Sequence, residues 1–225
     1  MIIPTLNEEE NIGMLINLIV KHMSSNDFEI IVVDDSSSDN TQGIVNQIRK
    51  ANPSVRLIVR GYARGLGGAV RLAGSQAKDG PVIVMDADLS HHPKYLPQMF
   101  DLLAKGYDVV IGSRYARTGK VIGWPGSRIA ISRIATNMAR LVFRLPISDP
   151  MSGFVGFSSP DLLVHGFILG DFKFLLEILV RNWPLRVKEI PITFHERTRG
   201  RSKLGSSTIF HYLGLILSLI IKGAR

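Results

Sequence analysis

Cysteine is absent from the 225 residues. With it go any disulfide framework, any cysteine-based zinc site and any thiol nucleophile. Long hydrophobic runs are missing too. The most apolar stretch, residues 208–221, is interrupted by His211, Tyr212 and Ser218. It falls short of the ~20 residues that cross a bilayer, so a docking or interfacial helix is expected there. The start carries no signal-peptide pattern, because Glu8, Glu9 and Glu10 follow the first apolar residues at once. The expectation is therefore a chain working on the cytoplasmic side. Neither G-x-G-x-x-G nor a P-loop Gly-Lys-Ser/Thr occurs, which disfavours a dinucleotide oxidoreductase.

Charge is plentiful but uneven. Residues 1–110 hold 10 Lys/Arg against 13 Asp/Glu, and residues 111–225 hold 17 against 6, giving the net +8. A strongly basic second half suits an anionic partner: a phospholipid surface, a phosphorylated substrate or nucleic acid. A merely solvated basic surface has the same composition.

The most informative stretch is residues 82–93. Val82, Ile83, Val84 and Met85 form a short apolar run behind Gly80-Pro81, the pattern of a buried strand in a parallel sheet. Asp86 and Asp88 follow immediately. At a strand end that spacing turns one carboxylate towards a ligand's hydroxyls and the other towards a hard cation. Mg²⁺ or Mn²⁺ takes oxygen ligands, often one or two carboxylates with substrate phosphates and water. An acidic turn capping the helix near Pro93 explains the bare motif equally well.

The same layout recurs along the first half. Residues 1–10 look like a strand tail entering a helix, with Asn7 as N-cap and Glu8 to Glu10 at the positive end of the helix dipole. Residues 28–33 are a second apolar run, ending in Asp34-Asp35-Ser36-Ser37-Ser38-Asp39. Residues 55–59 form a third strand. Arg64-Gly65-Leu66-Gly67-Gly68-Ala69 then turns into a helix, either as a structural turn or as a cradle for phosphate. Strict βα alternation predicts an α/β fold with a mostly parallel sheet and its polar strand ends on one edge. A nucleotide-sized ligand fits along such an edge.

The second half differs. Residues 112–126 are a loop with Arg114, Arg117 and four glycines. Residues 127–144 form an amphipathic helix, with Ile131, Ile134, Ala135, Met138, Leu141 and Val142 on one face and Arg133, Arg140 and Arg144 on another. That pattern suits a helix lying on a membrane, or a packed helix with a solvated arginine face. Residues 149–154 are a turn before a short strand, and residues 172–180 a further helix. Residues 195–205 carry Arg197, Arg199, Arg201 and Lys203, either a solvated run or a lid over phosphates.

Taken in order, several stretches resemble family 2 glycosyltransferases of GT-A fold, and among them the dolichyl-phosphate mannose synthases. They are Ile3-Pro4-Thr5-Leu6-Asn7-Glu8, Val33-Asp34-Asp35, residues 86–93, Gly112-Ser113-Arg114-Tyr115, residues 149–154 and residues 200–205. The resemblance implies a GT-A domain over residues 1–205, with a nucleotide-sugar half (1–112) and an acceptor half (113–205), followed by an apolar helix over 206–225. It implies that Pro4, Leu6, Glu8, Val33 and Asp35 line the guanine and ribose pocket, and that Asp86, Ala87 and Asp88 hold the nucleotide sugar. Asp86, Asp88 and Ser90 would hold Mg²⁺ or Mn²⁺, with Asp86, Asp88 and Arg114 as the catalytic residues. Arg114, Arg197 and Lys203 would meet the donor phosphates, and Arg114, Arg128, Ser132, Arg133 and Arg199 the lipid phosphate. Two positions depart from the pattern: Leu6 where an aromatic is common, and Ser90 where some relatives carry Gln.

The implied activity is metal-dependent transfer of mannose from GDP-mannose to dolichyl or polyprenyl phosphate, with inversion. The implied setting is the cytoplasmic face of a membrane, with a small membrane-anchoring subunit as a further partner and no nucleic acid. The carboxylates agree with this chemistry. Activating a sugar hydroxyl requires a general base, yet beyond residue 110 only Asp149, Asp161, Asp171, Glu177, Glu189 and Glu196 remain, with no Glu-Asp pair. A phosphate acceptor is already anionic. The alternatives are another donor, such as UDP-glucose, or a non-catalytic basic module, which leaves Asp86 and Asp88 without a task.

Overall fold

The computed structural model describes residues 1–23, 28–61, 65–168, 173–197 and 206–221. The first half alternates as its apolar periodicity predicts. It runs β1 (Ile2–Thr5), α1 (Ile12–Met23), β2 (Ile30–Asp34), α2 (Thr41–Ala51), β3 (Val55–Val59), α3 (Leu66–Gln76) and β4 (Val82–Val84). A 3-10 turn, Pro93–Tyr95, leads into α4 (Leu96–Ala104) and then β5 (Val109–Ser113). The second half adds β6 (Lys120–Ile122), α5 (Gly126–Phe143), β7 (Val155–Phe157), α6 (Asp161–Val164) and α7 (Phe174–Arg181). It closes with β8 (Val187–Pro191), β9 (Thr193–His195) and α8 (Ser206–Ile221).

Seven strands form one sheet in the order β3-β2-β1-β4-β7-β5-β8, while β6 and β9 make a separate parallel pair. Within the large sheet only β7 runs against its neighbours, β4 and β5. Thr5 lies opposite Asp34, and the Asp35 amide donates to the Thr5 carbonyl at 3.0 Å. Ile2 lies opposite Val84 on the other side. The carboxyl ends of β2, β1 and β4 therefore sit side by side. Because β2 and β3 lie to one side of β1 and β4 to the other, the winding reverses there, which is where open α/β sheets hold ligands.

Side chains along the strands alternate between two apolar layers, as the period of 2 requires. Ile2, Val33, Val84 and Ile111 join one cluster with Ala69 and Val70 of α3 and Leu175 and Ile178 of α7. Ile3, Val32, Ile83 and Val110 join the other with Ile12 and Leu15 of α1 and Met99 of α4. Strands covered on both faces read as the continuous apolar runs seen in the sequence.

Two local expectations change. Asn7 does not cap α1: its backbone is left-handed, with φ 57°, and its side-chain oxygen accepts from the Ser38 amide at 2.8 Å. The helix starts later, at Ile12, and no acidic residue stands in its first turn. A contact between strand ends outcompetes the local cap. The helix foreseen over 172–180 is described from Phe174 to Arg181.

Much of the apolar stripe of α5 stays outside, while Ala135 and Met138 of the same stripe pack partly against the core. Ile134 is 68% and Leu141 79% exposed, while the small or polar Ala139 and Thr136 face inward. α8 docks beside it: the Tyr212 hydroxyl donates to the Ala135 carbonyl at 2.6 Å, and Ile216 and Leu219 are buried while Leu217 and Ile220 are exposed. No helix among the described residues is long and apolar enough to cross a membrane.

Candidate active site

Among the described residues, three of the four non-glycine residues with positive φ, Asn7, Ser36 and Leu89, follow the carboxyl ends of β1, β2 and β4. A left-handed backbone costs an ordinary L-residue roughly 1–2 kcal/mol, and such strain gathers at sites that need an unusual chain direction. At Leu89 (φ 61°) the reversal brings the Ser90 amide to Asp88 Oδ1 at 3.1 Å. The two aspartates are thereby held at the strand end rather than spent on capping the Pro93 turn, whose N-cap is His92.

Asp86 and Asp88 differ in surroundings. Asp88 is almost buried, its side chain 8% exposed, while that of Asp86 is 41% exposed. Desolvation by the protein packed around it, followed by the Asp88 charge, raises the Asp86 carboxyl to about 7. His91 lies beside them, Nδ1 3.8 Å from Asp86 Oδ2 and its ring stacked on Phe154. Burial lowers His91 to about 4, so it is neutral at neutral pH. On the far side Gly153 makes room: a Cβ there would stand 2.7 Å from Asp86 Oδ2.

This donor set fits a hard divalent cation. Two neighbouring carboxylates carry a repulsion that a cation relieves. The Ser90 hydroxyl is buried without a hydrogen-bond partner among the described residues, as an oxygen reserved for a ligand or its water would be. No group of three or more His, Cys, Asp or Glu among the described residues could hold a metal. Phosphate and water oxygens would have to complete the shell. Ala87, between the aspartates, is buried at 3% exposure.

β9 brings a cation to this pair. The His195 amide donates to the Ser90 carbonyl at 3.1 Å, and the Glu196 amide to the Ile122 carbonyl at 2.8 Å. One residue further on, Arg197 Nη2 lies 3.1 Å from Asp88 Oδ2. Arg114 comes from the end of β5 and meets Asp149, its Nε 2.8 Å from Oδ2 and its Nη2 2.8 Å from Oδ1. Lys173, which nothing in the local sequence marks out, stands within electrostatic reach of Arg114, Asp149 and Asp86. Burial and then the Arg114 charge lower it to about 8.

The residues expected at a lipid phosphate converge on two rings. Arg128 lies 4.1 Å from the Trp124 centroid and pairs with Glu196 at 2.8 Å. The Tyr115 hydroxyl donates to Ser132 Oγ at 2.7 Å, with Arg133 5.7 Å and Arg114 5.2 Å from the Tyr115 ring. Arg199 and Lys203 lie outside the described residues.

The residues expected around a base sit at the neighbouring strand ends. Pro4 pairs with Val33 across β1 and β2. Val33 is wholly buried between β1 and β3. Leu6 is partly exposed, and the Glu8 amide donates to Thr41 Oγ1 at 2.8 Å. Asp35 is engaged by Arg60 Nε at 2.6 Å and by the Gly65 amide at 2.9 Å. Gly65, with φ 130°, therefore spends its N–H on the protein's own carboxylate, which supports the structural turn at that amide. The Arg60–Asp35 pair spans 25 residues and leaves no local sequence signal.

Known proteins share both sequence and architecture. The chain is 40% identical to a dolichol-phosphate mannosyltransferase of Pyrococcus furiosus, over 97% of its own length and 62% of that protein's. It is 33% identical to a polyprenol monophosphomannose synthase of Mycolicibacterium smegmatis, over 92% of its length and 81% of that protein's. Among solved structures, glucosyl-3-phosphoglycerate synthase of Mycobacterium tuberculosis superposes with a TM-score of 0.68 at 18% identity, covering 98% of this chain and 78% of the other. That enzyme has also been crystallised with Mn²⁺, UDP-glucose and glycerol 3-phosphate, in a form with a TM-score of 0.66 at 20% identity. At such identities the likeness speaks for the fold alone. The description Glycosyl transferase family 2 matches residues 1–164, and with the two sequence relatives it establishes that this chain belongs to glycosyltransferase family 2.

Proposed function

We propose that this chain transfers mannose from GDP-mannose to dolichyl or polyprenyl phosphate, with Mg²⁺ or Mn²⁺. The observation that carries the reading is a carboxylate pair, Asp88 meeting Arg197 and Asp86 within electrostatic reach of Arg114, which lies over the Tyr115 and Trp124 rings. Such a layout gathers two anions around one cation. Identity to the two polyprenyl-phosphate mannosyltransferases supports the choice of sugar and lipid. The chain spans less than two thirds of the Pyrococcus relative.

The steps follow from the charges. Strand ends at Pro4, Leu6, Glu8 and Asp35 hold the nucleoside. Asp86 and Asp88 would hold the divalent ion, which when bound would supply charge stabilisation to the leaving diphosphate. An acceptor phosphate oxygen, gathered by Arg128, Arg133 and Arg114, attacks the anomeric carbon from the face opposite the leaving group. The C–O bond to the diphosphate breaks and GDP departs, so one displacement turns an α-linked donor into a β-linked lipid phosphate. No general base takes part, because the attacking oxygen carries no proton. The nearby carboxylates are already engaged: Asp149 by Arg114, Glu189 by the Ser148 and Asp149 amides, and Glu196 by Arg128.

α5 and α8 would rest on the cytoplasmic face of a membrane, their exposed Ile134, Leu141, Leu217 and Ile220 turned to lipid. Purified chain given radiolabelled GDP-mannose, UDP-glucose and other nucleotide sugars with dolichyl phosphate tests the donor. Label should enter lipid from GDP-mannose alone, and the product's anomeric coupling constant should report a β linkage. Transfer from UDP-glucose in preference, or an α-linked product, would refute the reading.

A further inference from the structure

We infer that Arg197 is a built-in counter-cation for the aspartate pair: without metal it holds Asp88 where a divalent ion would sit, so metal and guanidinium compete for that carboxylate. The inference rests on reading Asp86 and Asp88 as the metal site. Both oxygens of Asp88 are in use, Oδ1 by the Ser90 amide at 3.1 Å and Oδ2 by Arg197 at 3.1 Å. The contact is set by the framework. His195 and Glu196, directly before Arg197, are fixed through their amides to Ser90 and to Ile122 of β6. The same loop that carries Asp88 thus anchors the strand that delivers the guanidinium.

A guanidinium has donors only and cannot ligate a metal. A divalent ion on Asp88 Oδ2 would face a like charge at contact distance, so one must leave. Arg197 has somewhere to go: its side chain is 28% exposed, and a nucleoside diphosphate arriving with the metal offers it charge-assisted hydrogen bonds. Among the described residues, Arg114 and Lys173 also stand near Asp86, and they are present in either state.

The sign of the consequence is unusual. Apparent metal affinity is reduced by the fraction of molecules in which the competent arrangement is missing. If about nine-tenths of unliganded molecules hold the pair, abolishing it should tighten metal binding about tenfold. An arginine that merely supports the site would do the opposite when removed.

Calorimetric titration of the whole chain with Mn²⁺ alone, without nucleotide, tests this. Arg197→Gln should bind Mn²⁺ about tenfold more tightly than the parent, and Arg197→Lys, which keeps the charge, should stay near the parent. Equal or weaker binding by Arg197→Gln would overturn the inference. Asp88→Asn separates the two layers. If it loses Mn²⁺ while Arg197→Gln is unchanged, only the counter-cation role fails. If it binds like the parent, the metal-site reading fails and the inference falls with it. Thermal unfolding gives a second readout, since Mn²⁺ should raise the midpoint of Arg197→Gln more than that of the parent. An equal rise would count against competition.

Discussion

Arg114 and Asp149 meet edge to edge, two parallel hydrogen bonds of 2.8 Å joining guanidinium to carboxylate and a third, at 3.1 Å, running from the Arg114 amide. Asp149 is wholly buried and the Arg114 side chain is 10% exposed. The pair ties the end of β5 to the turn that reverses β7, and so fixes Gly153 against Asp86. Removing one partner leaves the other's charge buried. Asp149→Ala should lose about 3–5 kcal/mol of stability, the scale for breaking such a pair, read from urea unfolding at neutral pH.

The same pair has a pH signature. Desolvation alone would raise the Asp149 carboxyl, but the Arg114 charge and its hydrogen bonds outweigh that and hold it below its ordinary value of 3.8. A depressed folded-state value contributes stability above the unfolded value and loses it as pH falls through the folded one. The parent's advantage over Asp149→Ala should therefore shrink on acidification below the ordinary carboxylate value. An advantage unchanged at low pH would assign the loss to packing instead.

With nucleotide present, Arg197→Ala should act in the conventional direction. Losing a charged contact in a shielded site costs about 2–4 kcal/mol. Binding of GDP with Mn²⁺, followed by calorimetry, should weaken accordingly. A normal affinity would remove Arg197 from the donor's phosphates.

Much of this arrangement was legible in the sequence because it is local. Apolar runs ending in Asp34-Asp35 and Asp86-Ala87-Asp88 announce strands and strand ends, and βα alternation sets them side by side. Asn7 misleads because its partner, Ser38, lies beyond the end of the neighbouring strand, far off in sequence. The reversal of β7 left no trace, since three residues between apolar neighbours look the same in either direction. The pairs Arg114–Asp149, Arg60–Asp35 and Arg197–Asp88 join distant positions, so composition announces the charges and only folding matches them. Lys173 is a lone cation before an apolar helix, and nothing in its neighbours foretells the acidic company it keeps.

The outward apolar stripe of α5 gives a test of membrane contact. Ile134 and Leu141 are exposed, so Ile134→Asp and Leu141→Asp should leave the unfolding midpoint almost unchanged. Each should weaken binding to anionic liposomes about tenfold, since burying such a side chain contributes roughly 1.5–3 kcal/mol. Retained binding in both would place the membrane contact elsewhere.

In the proposed function Asp86 and Asp88 serve a metal-dependent mannosyl transfer. Transfer of radiolabelled mannose from GDP-mannose to dolichyl phosphate, measured for the parent and for Asp88→Asn with Mn²⁺ or with chelator, tests it most directly. The parent should label the lipid with Mn²⁺ and stop with chelator, while Asp88→Asn, folded by circular dichroism, should be inactive in both. Full transfer by Asp88→Asn in Mn²⁺, or undiminished transfer by the parent in chelator, would contradict the account.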